Sequence, residues 1–207
     1  MKNPLRYQLT EYDCGPTAVT NAISFLYERE EIPPDFVKAI PRYLLDDYNP
    51  INQKAYHAGT STAVMRYFAT WFNNYAKATD FPLVVEHLDG EDVFIGEGSK
   101  IYDALKNGNA AVARSFLGGD HHYVTLTGVD EQYVYIFDPY NYGDRTEWAD
   151  GITPINDEPY RYNRKVRWEI LNAKEEGDYQ LGSLRYHDVL VFRKEKQKSK
   201  IKEDELV

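Results

Sequence analysis

The sequence predicts an α+β fold in which N-terminal helices pack on a C-terminal antiparallel sheet. Three observations carry this. Apolar residues recur at helical spacing from Cys14 to Tyr27 and again from Val64 to Phe72. From Ala110 onward the pattern changes to short runs of β-branched and aromatic residues bounded by glycine or aspartate. Helices first and strands second is the order of an α+β domain.

Taken in order, Ala18, Val19, Ala22, Ile23, Phe25 and Leu26 give the first helix a wide apolar face. Asp13 is placed to cap it, and Gly15-Pro16 suits a first turn where a missing N–H does no harm. The helix therefore begins at Cys14 itself. Pro33-Pro34-Asp35 starts a short helix through Ile40, which Pro41 is expected to end, opening another toward Tyr48. Gly59-Thr60-Ser61 caps the longer helix that carries Val64, Tyr67, Phe68, Trp71 and Phe72. Leu83 to Leu88 reads as a strand, and Gly98-Ser99 precedes a short amphipathic helix through Leu105. Ala110 to Phe116, His122 to Thr127, Tyr133 to Phe137, Val166 to Leu171 and Asp188 to Phe192 read as further strands. Between them, the stretch from Tyr140 to Asn163 is rich in turn residues and is expected to be a functional loop or an unrecognised element. One domain is expected over residues 1–193, followed by a charged, frayed tail over 194–207.

Composition narrows the function classes. The chain has 207 residues, 43% hydrophobic and 14% aromatic, enough for a folded core. Its 18 tyrosines against 9 phenylalanines suggest many half-buried, hydrogen-bonding rings. A formal net charge of -9 gives no electrostatic reason to bind nucleic acid or an anionic membrane. A single cysteine cannot form an internal disulfide, and no apolar leader or membrane-length segment is evident, so a soluble, cytoplasmic protein is expected. Oligomeric state is not legible.

A lone cysteine is most often a small buried hydrophobe. Cys14 differs by its place. A thiol at a helix N-terminus faces unpaired backbone N–H groups and the positive end of the helix dipole, and both favour the nucleophilic thiolate. Gln8 lies six residues earlier. A side-chain amide so placed can join the Cys14 N–H in stabilising the oxyanion of a tetrahedral intermediate. The base must be one of His57, His87, His121, His122 or His187. The runs from His122 and from Tyr133 read as a hairpin with a loop at Val129 to Glu131, in which Gly128 faces Gln132 and His122 faces Asp138. An aspartate there would orient the imidazole and stabilise its protonated form. The strand period puts His122, Val124 and Leu126 on one face with Val134, Ile136 and Asp138, and His121 on the other with Tyr123, Thr125 and Thr127. His122 is the preferred base, and a one-residue slip would substitute His121.

Gln8, then Cys14-Gly15 preceded by Asp13, then His122-Tyr123 and Asp138-Pro139 resembles the papain-like peptidases that cleave double-glycine leader peptides of bacteriocins, and their stand-alone relatives. The resemblance covers Tyr7 to Tyr140. It implies a papain-like fold, with Gln8 in the oxyanion hole, Cys14 as nucleophile, His122 as general base and acid, and Asp138 as its orienting partner. Transporter-linked members continue into membrane and nucleotide-binding domains that have no counterpart here. The interval from Cys14 to His122 is longer than in compact members, with Pro33 to Gly59 as the insertion. The expected activity is hydrolysis of a peptide or protein substrate through a Cys14 thioester, with no metal or organic cofactor implied. Acyl transfer or amide hydrolysis on the same residues, and peptide binding without turnover, are the alternatives.

Overall fold

The computed structural model describes residues 1–45, 48–49, 53–55, 58–143 and 145–195. Three helices come first: α1 (Cys14–Leu26), α2 (Pro34–Tyr43) and, after the short strands β1 (Tyr48–Asn49) and β2 (Lys54–Ala55), α3 (Thr62–Thr79). Strand β3 (Leu83–Asp89) and helix α4 (Lys100–Lys106) lead into β4 (Ala110–Leu117), β5 (Asp120–Val129) and β6 (Tyr133–Phe137). Then follow β7 (Ile152–Pro154), β8 (Arg164–Arg167), the one-turn helix α5 (Trp168–Leu171) and β9 (Asp188–Lys194). Among the described residues seven strands form one antiparallel sheet in the order β3-β9-β4-β5-β6-β8-β7, and β1 pairs with β2 separately.

The sheet separates two hydrophobic clusters, and strand alternation assigns residues to each. Ala110, Val112, Tyr123, Leu190 and Phe192 pack with α1, α2 and α3. Their neighbours Ala111, Ala113, Val124, Leu126, Val189 and Val191 pack with Val134, Ile136 and the apolar side of α4. The α+β architecture, with helices on an antiparallel sheet, is as the sequence predicts. The cap expected before α3 matches, with Ser61 accepting from Val64 N at 3.2 Å, and Ser99, expected only to precede α4, caps it by accepting from Tyr102 N at 3.1 Å.

Three local expectations need correction, and one left open between two alternatives is resolved. Helix α2 runs through Pro41 to Tyr43 instead of ending, because Pro41 sits on the exposed side near the helix end. There the carbonyl it leaves without an N–H, that of Val37, belongs to a solvent-exposed residue. Tyr48 is in a strand, and residues 46–47 of the expected second helix lie outside the described residues, as does His57. The turn-rich stretch contains an element of its own, β7, paired to β8. The last expected strand before β9 is only Arg164–Arg167. Trp168 N donates to Gln132 O, Asn172 N closes a helical turn on Trp168 O, and the Trp168 ring packs edge-on against Tyr102. Tertiary packing overrides the β-propensity of Trp168 and Ile170.

The ladder also runs through Lys194, opposite Leu83, and the tail beyond residue 195 lies outside the described residues. Among the described residues no helix is long and apolar enough to cross a membrane.

Candidate active site

Cys14 opens α1 and is 7% exposed. Asp13 holds the cap position, yet its carboxylate makes no bond to the helix. It turns back to accept Leu9 N at 3.1 Å, Thr10 N at 2.7 Å and the Thr10 hydroxyl at 2.8 Å. The expected cap is thus a brace for the preceding turn, and the first-turn N–H groups remain directed at the end that carries the thiol. Gly15 is required by packing: a Cβ there would stand 2.1 Å from Thr60 Oγ1, just ahead of α3. The helix is seated on β5 by the Thr125 hydroxyl, which donates to Ala18 O at 2.9 Å.

His122 lies on β5 and is 5% exposed. Its Nε2 meets Asp138 Oδ1 at 2.7 Å, which leaves Nδ1 as the nitrogen available to a second partner. Cys14 is near enough to the ring for its side chain to favour the protonated form. Burial works to strip the imidazole of its proton, but the charge and hydrogen bond of Asp138, with Cys14 adding, raise its pKa to about 10.

Asp138 is completely buried. Burial works to protonate it, and the charge and hydrogen bond of His122, with Tyr179 and the Tyr140 N–H, hold its pKa below the ordinary value. Its carboxylate accepts Tyr140 N at 2.8 Å on Oδ1, and the hydroxyls of Tyr142 at 2.8 Å and Tyr179 at 2.6 Å on Oδ2. Its backbone is gripped by Asn163, whose side chain accepts Asp138 N and donates to Asp138 O, both at 2.8 Å.

The pairing that brings His122 to Asp138 is not the expected one. The loop is Asp130–Gln132, because the Asp130 carboxylate accepts Gln132 N at 2.9 Å, Tyr133 N at 2.7 Å and the Tyr135 hydroxyl at 2.6 Å. Gly128 therefore opposes Tyr135 rather than Gln132, a bulge between Leu126 and Gly128 takes one residue back, and Thr125 opposes Phe137. His122 faces Ser115 of β4 instead, and Asp138 lies just past the end of β6. The net displacement near His122 is two residues, an even number, so both side chains stay on the expected face. Val124, Leu126, Val134 and Ile136 share that face and are fully buried.

Gln8 is held beside this pair, its N–H donating to Pro139 O at 2.8 Å. Its side-chain nitrogen donates to Thr10 O at 2.7 Å, and its buried Oε1 has no partner among the described residues. One N–H of the amide is committed to Thr10; the other is not tied by that bond. The structure thus brings Cys14, His122 and Asp138 together and keeps Gln8 in the turn leading to Cys14. The remaining described histidines are elsewhere. His121 stacks between Phe116 and Tyr186, with ring centroids at 4.9 and 4.8 Å, on the opposite face from His122. His87 pairs with Asp188, and His187 bonds Gly90 O and Gly182 O. Sequence reasoning missed Asn163, Tyr142 and Tyr179; the excess of tyrosine was the one signal, and it names no position.

No curated protein matches the chain. A family model described as the Peptidase_C39 like family matches residues 2–170, which include Gln8, Cys14, His122, Asp138, Tyr142 and Asn163 but not Tyr179 or β9. Most of the chain falls within that match, and the chain therefore belongs to the Peptidase_C39 like family, as a relative of the C39-type papain-like cysteine peptidases.

Proposed function

We propose that this protein hydrolyses peptide bonds, with Cys14 as nucleophile, His122 as acid and base, Asp138 as the group that orients His122, and Gln8 with the Cys14 N–H as oxyanion donors. The observation that carries the reading is the position of the His122 ring, held on one nitrogen by Asp138 at 2.7 Å and close enough to Cys14 for the two side chains to interact. With its pKa raised to about 10, the ring is imidazolium at neutral pH, the form that can protonate a leaving amine. The Cys14 sulfur attacks the carbonyl carbon, and the carbonyl π electrons move to the oxygen, which the oxyanion donors stabilise. Collapse of this intermediate breaks the C–N bond while His122 transfers its proton to nitrogen. The thioester left on Cys14 is then hydrolysed by water, with neutral His122 taking the water's proton. Family membership supports a cysteine-peptidase type of function. Double-glycine leader peptides are the substrates of the peptidases that the Gln8, Cys14, His122 and Asp138 pattern resembles, and they define the first peptides to try.

The test incubates the protein and a Cys14→Ala variant with a peptide library that includes double-glycine sequences, and reads the products by mass spectrometry. New amino termini with the parent chain, and none with the variant, are expected. Peptides bound but recovered intact would overturn turnover in favour of a binding module. Amine adducts in place of hydrolysis products would redirect the second step to acyl transfer.

A further inference from the structure

An ionised carboxylate has about four acceptor directions, and all four at Asp138 are filled. Two donors are expected of an orienting aspartate: the ring it orients and a local backbone N–H. The other two are phenols, both on Oδ2. Filling the same volume with phenylalanine would avoid burying two hydroxyls, so packing alone does not account for them.

The backbone at Tyr179 points the same way. Its φ is 67°, in the left-handed region where a bulky side chain is an outlier. Such a residue persists only where its surroundings over-determine it, and these cases cluster at functional sites. Here Tyr179 N donates to Phe116 O and Phe116 N donates to Gln180 O, both at 2.9 Å, which hangs the segment on β4. Phe116 adjoins Ser115, the strand partner of His122. The Tyr179 ring is fully buried, lies over Trp148 at 6.2 Å and ends on Asp138. Tyr142 reaches the same oxygen from the turn-rich stretch, edge-on to Trp148 at 4.8 Å and under the Arg164 guanidinium at 5.1 Å. Burial and the charge of Asp138 push both phenols up, so they remain donors.

We propose that Tyr142 and Tyr179 are positioning residues of this hydrolase: their hydroxyls lock the Asp138 carboxylate so that Oδ1 stays on His122. The proposal rests on the hydrolase reading of Cys14 and His122. It gives the turn-rich stretch a role, that of carrying one phenol to Asp138, and it gives the segment beyond residue 170 the other.

Because Cys14 is the only cysteine, the rate of alkylation by iodoacetamide reports on this site alone, without a substrate. The experiment compares the pH profile of that rate for the parent chain, Tyr142→Phe, Tyr179→Phe and the double variant, each shown to be folded by thermal unfolding. Tyr135→Phe is the control, since it removes a phenol–carboxylate bond of the same kind, to Asp130 at 2.6 Å on the hairpin turn. A carboxylate with two fewer donors takes up a proton more readily, and once neutral it no longer holds the imidazolium. The acid limb of the double variant is therefore expected to move up by about one pH unit, and each single variant by about half of that. Tyr135→Phe leaves the profile in place. If the double variant does not fold, the singles decide. Folded variants with the parent profile would overturn the proposal and leave the hydrolase reading standing. A parent chain whose Cys14 reacts no faster than the unfolded thiol would overturn both.

Discussion

Two histidine–aspartate pairs stand at the same end of the sheet, and they are nearly alike. His122 meets Asp138 at 2.7 Å, and His87 meets Asp188 at 2.9 Å. Both aspartate side chains are completely buried, and both carboxyls are held below the ordinary range by their hydrogen bonds against the pull of burial. Each also accepts a buried phenol, Tyr179 on Asp138 and Tyr123 on Asp188. The difference is the third neighbour. The other nitrogen of His122 is left for Cys14, at the start of a helix whose cap residue is turned away. The other nitrogen of His87 has Asp89 at 3.9 Å, a carboxylate already paired with Arg66. A buried His–Asp pair is therefore a packing solution that occurs twice among the described residues. Only the pair beside Cys14 has a place in the chemistry proposed for this protein.

That contrast can be tested in order of expected effect. Cys14→Ala abolishes all hydrolysis, whereas loss of any group in the His87 pair leaves hydrolysis in the folded fraction; product formation checks both. His122→Ala lowers turnover by on the order of 10²–10⁴-fold, read from initial rates. The matched His87→Ala variant keeps turnover within about twofold and instead costs about 3 kcal/mol of stability, because Asp188 is left buried without its ring partner. Urea denaturation of the two variants side by side separates the effects.

The next effect is in pH. His122 has a folded pKa of about 10 against an ordinary 6.5. A raised pKa means that the folded state binds the proton more tightly. Its contribution to stability is present in full below pH 6.5 and is lost as pH rises through about 10. Denaturation midpoints of the parent chain should fall over that window relative to those of His122→Gln. Parallel curves would show that the pair does not stabilise the fold. The smallest effect is expected from Gly15→Ala. The new methyl must displace Thr60 or the start of α1, at about 1–3 kcal/mol, with slower Cys14 alkylation as the accompanying sign.

How much of this was legible in the sequence follows from the range of the signals. Cys14 was legible because a helical period starts there, and periodicity is local. The face of His122 was legible because strand alternation survives an even register error, even though its opposing residue is Ser115 and not Asp138. An odd error would have pointed to His121, which instead stacks on Phe116 and Tyr186. The cap prediction at Asp13 found the right residue and the wrong bonds, since a carboxylate there can serve the helix or the preceding turn, and the Leu9 and Thr10 amides won. Tyr142, Asn163 and Tyr179 were out of reach. They arrive at Asp138 through irregular backbone separated from it by 4, 25 and 41 residues, with no period to announce them. The same holds for β7, three residues inside a turn-rich stretch, and for the helical turn at Trp168, where packing on Tyr102 outweighs propensity.

The central claim, that Cys14 rather than any other feature of the fold is activated by the His122–Asp138 pair, is tested most directly by iodoacetamide alkylation at mildly acid pH. The folded chain, its His122→Ala variant and the urea-unfolded chain are compared under the same conditions. Alkylation of the folded parent faster than that of the unfolded thiol by about tenfold or more, with the gain lost in His122→Ala, is the predicted result. Equal or slower reaction of the folded parent would contradict it.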